Sequence, residues 1–199
     1  TIQTYKTLNV KRKKLMDFQE KLAHLKFLDP ACGSGNFLTE TYLSLRRLEN
    51  KVLRVLYGEG QGVLGVAASD IIKVSIQQFY GIEINDFAVT VAKTALWIAE
   101  SQMLDETKNI IYGLDGDFLP LKTYVNITEG NALRIDWNDV ISADELNYIM
   151  GNPPFVGNSR LGDSQRAERS KLFDDRSGEL DYVCCWYKLA SEYITNNDI

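Results

Sequence analysis

The stretch that most constrains this chain is Phe27-Leu28-Asp29-Pro30-Ala31-Cys32-Gly33-Ser34-Gly35-Asn36-Phe37-Leu38. It reads as a buried strand, an acid, a glycine-bearing turn and the first turn of a helix. Pro30 has no N–H to donate, so the strand stops at Asp29. Gly33 and Gly35 allow a sharp bend and close backbone approach to a ligand. A strand that turns into a helix in this way predicts an α/β fold. Asp29 then becomes a fixed negative charge at the C-terminal edge of a parallel sheet, where such folds bind ligands.

The turn also restricts the ligand. Dinucleotide-binding enzymes use G-x-G-x-x-G, and here Leu38 stands where the third glycine belongs. An acid directly ahead of the turn suits a cation better than a pyrophosphate. S-adenosylmethionine carries an ammonium and a sulfonium and no phosphate, so it fits this turn; a purely structural bend is the plainer alternative.

The rest of the chain fits an ordinary soluble globular protein of one domain, at most two. Its 199 residues are 45% hydrophobic and 25% charged, enough for a sizeable core. No apolar run reaches membrane-helix length, no leader pattern opens the chain, and a cytoplasmic, bacterial setting is expected. Cys32, Cys184 and Cys185 lack metal-ligand spacing, so no metal is expected. His24, the single histidine, lies in an amphipathic run without a nucleophile motif. The net charge of −5 divides into +5 over residues 1–26 and −10 over the remainder. That is a poor bulk footprint for gripping nucleic acid. The sequence starts at Thr1 and its last helical pattern runs to Ile199, so an excerpt of a longer protein is expected.

In order, residues 1–26 form a basic helical lead-in, with Leu15, Phe18, Leu22 and Leu25 at helical spacing. A long helix is expected over about 35–57, then a glycine-marked insertion over 58–77. A second strand near 78–84 ends in Glu83, whose two carboxylate oxygens suit a ribose diol; a solvated strand-end acid is the alternative. An apolar, buried helix follows over about 86–103, with a third strand near 125–128. Asn131 beyond it either reads an adenine edge through its amide or simply makes a turn.

A fourth strand near 146–150 delivers Gly151-Asn152-Pro153-Pro154-Phe155. Consecutive prolines supply no donors and fix φ. With the Asn152 oxygen, two acceptors converge beside an aromatic ring, as an exocyclic amino group on a planar ring requires. A strand-terminating turn is the other reading. Residues 156–180 read as a mobile loop over the site and about 181–193 as a final helix.

Together the two motifs resemble motifs I and IV of the gamma-type amino-methyltransferases, S-adenosylmethionine-dependent enzymes that methylate adenine N6 in DNA. The wider text adds Gly81-Ile82-Glu83-Ile84-Asn85, Gly130-Asn131-Ala132-Leu133, Val156-Gly157 and Leu180-Asp181-Tyr182-Val183. With these, residues 20–195 resemble the methyltransferase region of MmeI-like (type IIL) restriction–modification enzymes. The resemblance implies a Rossmann-like class I methyltransferase core over residues 27–199, a doubly wound, mostly parallel sheet incomplete at its C-terminal end. It implies that Asp29 holds the methionine amino group, with the backbone of Pro30, Ala31, Gly33, Gly35 and Asn36 lining the methionine part. Glu83 would take the ribose, Ile84 would pack on the cofactor adenine, and Asn131 with Ala132 would meet that adenine's edge. Asn152 and the Pro153 carbonyl would accept from the target N6, with Pro154 stiffening the corner and Phe155 stacking on the target base.

Two departures qualify the resemblance. The gamma type carries an aromatic-Thr-Pro-like segment upstream, which residues 1–26 do not match. Later strands and the surface that grips double-stranded DNA are expected beyond Ile199, so weak or no activity is expected of these residues alone. Rival readings are an RNA-base or protein-glutamine aminomethyltransferase, a non-catalytic cofactor-binding module, and a dehydrogenase, the last disfavoured by Leu38.

Overall fold

The computed structural model describes residues 2–58, 67–114, 125–173 and 180–195, with side chains from residue 9 onward. Four strands, β1 (Phe27–Asp29), β2 (Phe79–Glu83), β3 (Asn126–Glu129) and β4 (Tyr148–Ile149), form one parallel sheet in the order β3-β2-β1-β4. The chain moves outward from β1 through β2 to β3, then returns to the other side of β1. The switch falls between β1 and β4, and a crevice opens outside the carboxyl ends of strands at such a point.

Side-chain alternation along the strands sorts two cores onto the two faces. On one face Phe27, Phe79 and Ile127 pack with Leu38, Tyr42 and Leu45 of α2 (Asn36–Tyr57) and Val89, Ala92 and Leu96 of α4 (Asp86–Ile110). Here Phe27 stacks on both Phe79 and Tyr148, each at 5.1 Å between ring centroids, so three neighbouring strands share one aromatic ladder. Leu22 of α1 (Ile2–His24) closes this layer. On the other face Leu28 and Ile82 meet Trp137, Leu146 and the residues Cys185, Trp186 and Tyr193 of α6 (Cys184–Thr195). The expected doubly wound, parallel arrangement is therefore present.

A buried polar cluster fastens the first helical layer. The Arg46 guanidinium pairs with the Glu49 carboxylate, side chains 1% and 0% exposed. Arg46 also donates to the Thr107 hydroxyl of α4 at 2.7 Å. Glu49 accepts from Gln19 of α1 and from the Lys73 backbone, both at 2.7 Å. Buried charges persist only with such partners on every side.

Several sequence expectations need correction. Residues 156–180 are not one loop: α5 (Asp163–Phe173) occupies the middle, and Arg169 is buried with a 2.7 Å hydrogen bond to the Leu180 carbonyl. The helix expected to end near 103 continues to Ile110, and its Phe87 and Ile98 are 74% and 53% exposed rather than buried. Phe18, expected on the apolar stripe of the lead-in helix, is 42% exposed. Within the presumed insertion, α3 (Ala68–Ile71) and a short 3-10 turn at Ile76–Gln78 lead into β2. Gly60, Gly62, Gly65, Gly116 and Pro120 lie outside the described residues.

Candidate active site

Asp29 ends β1 with only 1% of its surface exposed. Its Oδ1 accepts the Ala31 N–H at 3.0 Å, which closes the first bend. Burial, reinforced by the nearby Glu83 charge, outweighs that hydrogen bond and pushes the Asp29 carboxyl up to about 6. A carboxylate in this state gains from a cation placed beside it. The same surroundings push the Cys32 thiol up to about 12, which leaves it unreactive at neutral pH.

The turn itself is tied to β2. Cys32 N donates to the Ile82 carbonyl at 3.1 Å and Gly33 N to Glu83 Oε2 at 2.9 Å. Gly35 takes φ +79 at the start of α2, and a Cβ there would lie 3.0 Å from that of Ala92. No other residue combines that dihedral with that closeness to α4. Glu83 also accepts the Asn85 N–H at 2.9 Å through Oε1, so its carboxylate holds the turn while keeping lone pairs for a ligand.

The second motif arrives at the same sheet edge. Met150 N donates to the Leu28 carbonyl at 2.9 Å, which carries the ladder one residue past β4. Gly151 follows with φ +146, and a Cβ built on it would sit 2.3 Å from Asp29 Oδ1. The two motifs, more than a hundred residues apart in sequence, are therefore in direct contact. Asn152 is exposed and lines the cleft, while the ring of Phe155 is 69% exposed. Val156 N donates to Asp181 Oδ1 at 3.1 Å, and that same oxygen accepts the Val183 N–H at 3.1 Å. Asp181 thus ties the proline corner to the residues leading into α6.

A cleft of about 390 Å³ opens at this edge. Of the expected residues, Pro30, Ala31, Glu83, Ile84, Asn131, Ala132, Asn152 and Pro154 line it. Asp29 does not line it but is in contact with Gly151 and precedes the lining residue Pro30, and Ile84 is 67% exposed. Gly33, Gly35, Asn36, Pro153 and Phe155 are not among the lining residues; Asn36 is exposed at the first position of α2. Asn131 is less free than its sequence reading implied. Its amide nitrogen donates to Glu168 at 2.9 Å and its oxygen accepts Leu133 N at 2.9 Å, so it also builds a turn.

Sequence reasoning missed part of the lining. Gln165 of α5, Tyr182 and Trp186 also line the cleft. The Trp186 indole N–H reaches across to the Pro30 carbonyl at 3.0 Å, and its ring meets Tyr182 edge-on at 5.2 Å. Tyr182 was visible only as part of the Leu180-Asp181-Tyr182-Val183 text, and nothing local marked Gln165.

Strand order, glycine turn and Asn-Pro-Pro-Phe corner define the class as a Rossmann-like methyltransferase fold. Residues 5–199 match the family described as MmeI, DNA-methyltransferase domain. The chain belongs to that family. It is 41% identical to, and superposes with TM-score 0.87 on, the type IIL restriction–modification enzyme MmeI, solved in complex with DNA; the match covers 97% of this chain and 26% of that one. DNA methyltransferase A of Bacillus subtilis (strain 168) is 39% identical over 93% of this chain and 21% of its own length. A putative type II restriction enzyme and methyltransferase of Methanocaldococcus jannaschii is 31% identical over 93% of this chain and 16% of its own length. The chain therefore spans about a fifth to a quarter of the first of these relatives. The type ISP enzyme LlaGI, 14% identical with TM-score 0.53, shares the fold alone.

Proposed function

We propose that this chain is the catalytic core of a DNA adenine-N6 methyltransferase that uses S-adenosylmethionine, serving as the modification part of a restriction–modification enzyme. The observation that carries this reading is the contact of Gly151 with Asp29. It supports a single cleft with a cation-seeking carboxylate next to it and a donor-free acceptor corner at its mouth.

The residues present fit this cofactor. Asp29 is a buried carboxylate with one backbone donor and a raised pKa, matched to an ammonium. Glu83 retains acceptor capacity for a ribose diol, and Ile84 offers exposed apolar surface to an adenine face. When bound, S-adenosylmethionine supplies a methyl group already activated by a positively charged sulfur.

The remaining work falls to the proline corner. Adenine N6 is a weak nucleophile because its lone pair is delocalised into the ring. The Asn152 side-chain oxygen and the Pro153 carbonyl accept from its two hydrogens, favouring a pyramidal nitrogen. They also stabilise the positive charge that grows there as the bond forms. Pro153 and Pro154 lack N–H groups, so no donor competes with that charge. Phe155 supplies a stacking face for a base taken out of the duplex. Alignment supplies the remaining advantage, since no strong base is required.

Supplying tritiated S-adenosylmethionine and plasmid DNA to the full-length protein, then hydrolysing the DNA, tests this. Label is expected in N6-methyladenine. Label in RNA or in a glutamine-bearing peptide, with DNA unlabelled, would replace the reading by a different acceptor, and no transfer anywhere would leave a cofactor-binding module.

A further inference from the structure

Glu168, in the middle of α5, does not line the cleft, yet three groups from two segments converge on its carboxylate. Oε1 accepts the Asn131 amide N–H at 2.9 Å and the Arg134 guanidinium N–H groups at 2.7 and 2.6 Å. Oε2 accepts the Tyr182 hydroxyl. The Glu168 side chain is only 12% exposed. Its burial is thus compensated by one cationic and two neutral donors, the condition under which a buried carboxylate is tolerated.

Two of the donors, Asn131 and Arg134, come from the turn after β3, and the third, Tyr182, lies two residues before α6. Asn131 and Tyr182 are also cleft-lining residues, brought together at this one carboxylate. A carboxylate only accepts, so it fixes the Asn131 amide with nitrogen toward Glu168 and oxygen toward Leu133 N. Likewise it holds the Tyr182 ring, which braces Trp186 edge-on, and Trp186 in turn holds the Pro30 carbonyl. A displacement at Glu168 would therefore pass to both the Tyr182–Trp186 pair and the glycine turn.

We propose that Glu168 is a positioning residue for the cofactor: by holding Asn131 and Tyr182 together it fixes the shape of the part of the cleft where the nucleoside end of S-adenosylmethionine binds. This rests on the cofactor reading above. Glu168 touches neither reacting atom, so its loss should weaken cofactor binding while leaving the chemical step nearly intact.

The test uses the full-length protein and its Glu168→Ala, Glu168→Gln and Tyr182→Phe variants. S-adenosylmethionine affinity is measured by calorimetry and by quenching of tryptophan fluorescence, and methyl transfer at saturating cofactor. Glu168→Ala is expected to raise the cofactor Kd and KM about tenfold, with kcat within about twofold. Glu168→Gln should recover most of the affinity, because its oxygen still accepts from Asn131 and its amide can donate to a reoriented Tyr182 hydroxyl. Tyr182→Phe should raise Kd about threefold, and it decides the matter if Glu168→Ala fails to fold. Wild-type affinity in Glu168→Ala, or in Tyr182→Phe where that variant decides, would overturn the proposal, as would an equal loss of kcat with KM unchanged. A wild-type protein that binds no S-adenosylmethionine would instead overturn the cofactor reading itself, and this proposal with it.

Discussion

Asp29 shows how one residue can be costly to the fold and useful to the site. Its carboxyl is pushed from about 3.8 to about 6, mainly by burial, and two units correspond to about 3 kcal/mol at most between protonation states. Because the folded state holds this proton more tightly than the unfolded chain, unfolding free energy falls as pH rises from about 4 to about 6. Asp29→Asn removes that penalty, so its melting temperature at pH 7.5 should equal or exceed that of the wild type. The same substitution deletes the anion and should weaken S-adenosylmethionine binding about a hundredfold or more, read by calorimetry. Wild-type affinity should fall as pH drops below about 6, whereas the Asn variant should show no such step. Gly151 makes the complementary case. Any Cβ there would strike the Asp29 carboxylate at 2.3 Å with φ at +146, and strained backbone of that kind costs roughly 1–3 kcal/mol. Gly151→Ala is therefore expected to lower the urea midpoint and abolish methyl transfer together, while Gly157→Ala, with open space around it, does neither.

Among the elements, polar anchoring decides what the sequence reveals. Helices α2 and α4 were legible because Leu38, Tyr42, Leu45, Leu96 and Ala99 repeat at helical spacing and lie buried. Helix α5 was not, since its main buried residue is Arg169 and its other anchor is Glu168. A polar helix held by ion pairs and carbonyl contacts carries the composition of a loop, which is why residues 156–180 read as one. The Arg46–Glu49 pair poses the same difficulty inside α2, where charged residues ordinarily face solvent but both side chains are buried. Glu49 accepts from Gln19, Arg46 and the Lys73 backbone, linking α1, α2 and the segment after α3. Glu49→Ala would leave Arg46 as an uncompensated buried cation and should cost about 3–5 kcal/mol, measured as a shift in denaturant midpoint. Exchanging both residues for apolar ones of similar volume should restore part of that loss.

Across the whole molecule, the sheet order turns two separate stretches of text into one site. Strand–helix alternation and the turn at Asp29 mark which edge carries ligands, while the placement of β4 beside β1 follows from the switch in winding direction and brings Gly151, the residue before Asn152, to Asp29. The part of the lining formed by Tyr182 and Trp186 depends on α6 crossing the second face, and no local spacing encodes that. What this architecture leaves at its rim is Phe155, 69% exposed beside the acceptor corner. On the proposed function, a duplex must give up a base to reach that corner, at a cost of a few kcal/mol, and aromatic stacking returns about 1–3 kcal/mol per base. Phe155→Ala should therefore reduce kcat/KM on a fully paired target about tenfold to a hundredfold with cofactor affinity unchanged. Placing a mismatch opposite the target adenine lowers the cost of extrusion independently of the protein, so it should recover much of the variant's rate and little of the wild type's. Equal recovery in both proteins would mean that Phe155 acts at the chemical step rather than in holding the extruded base.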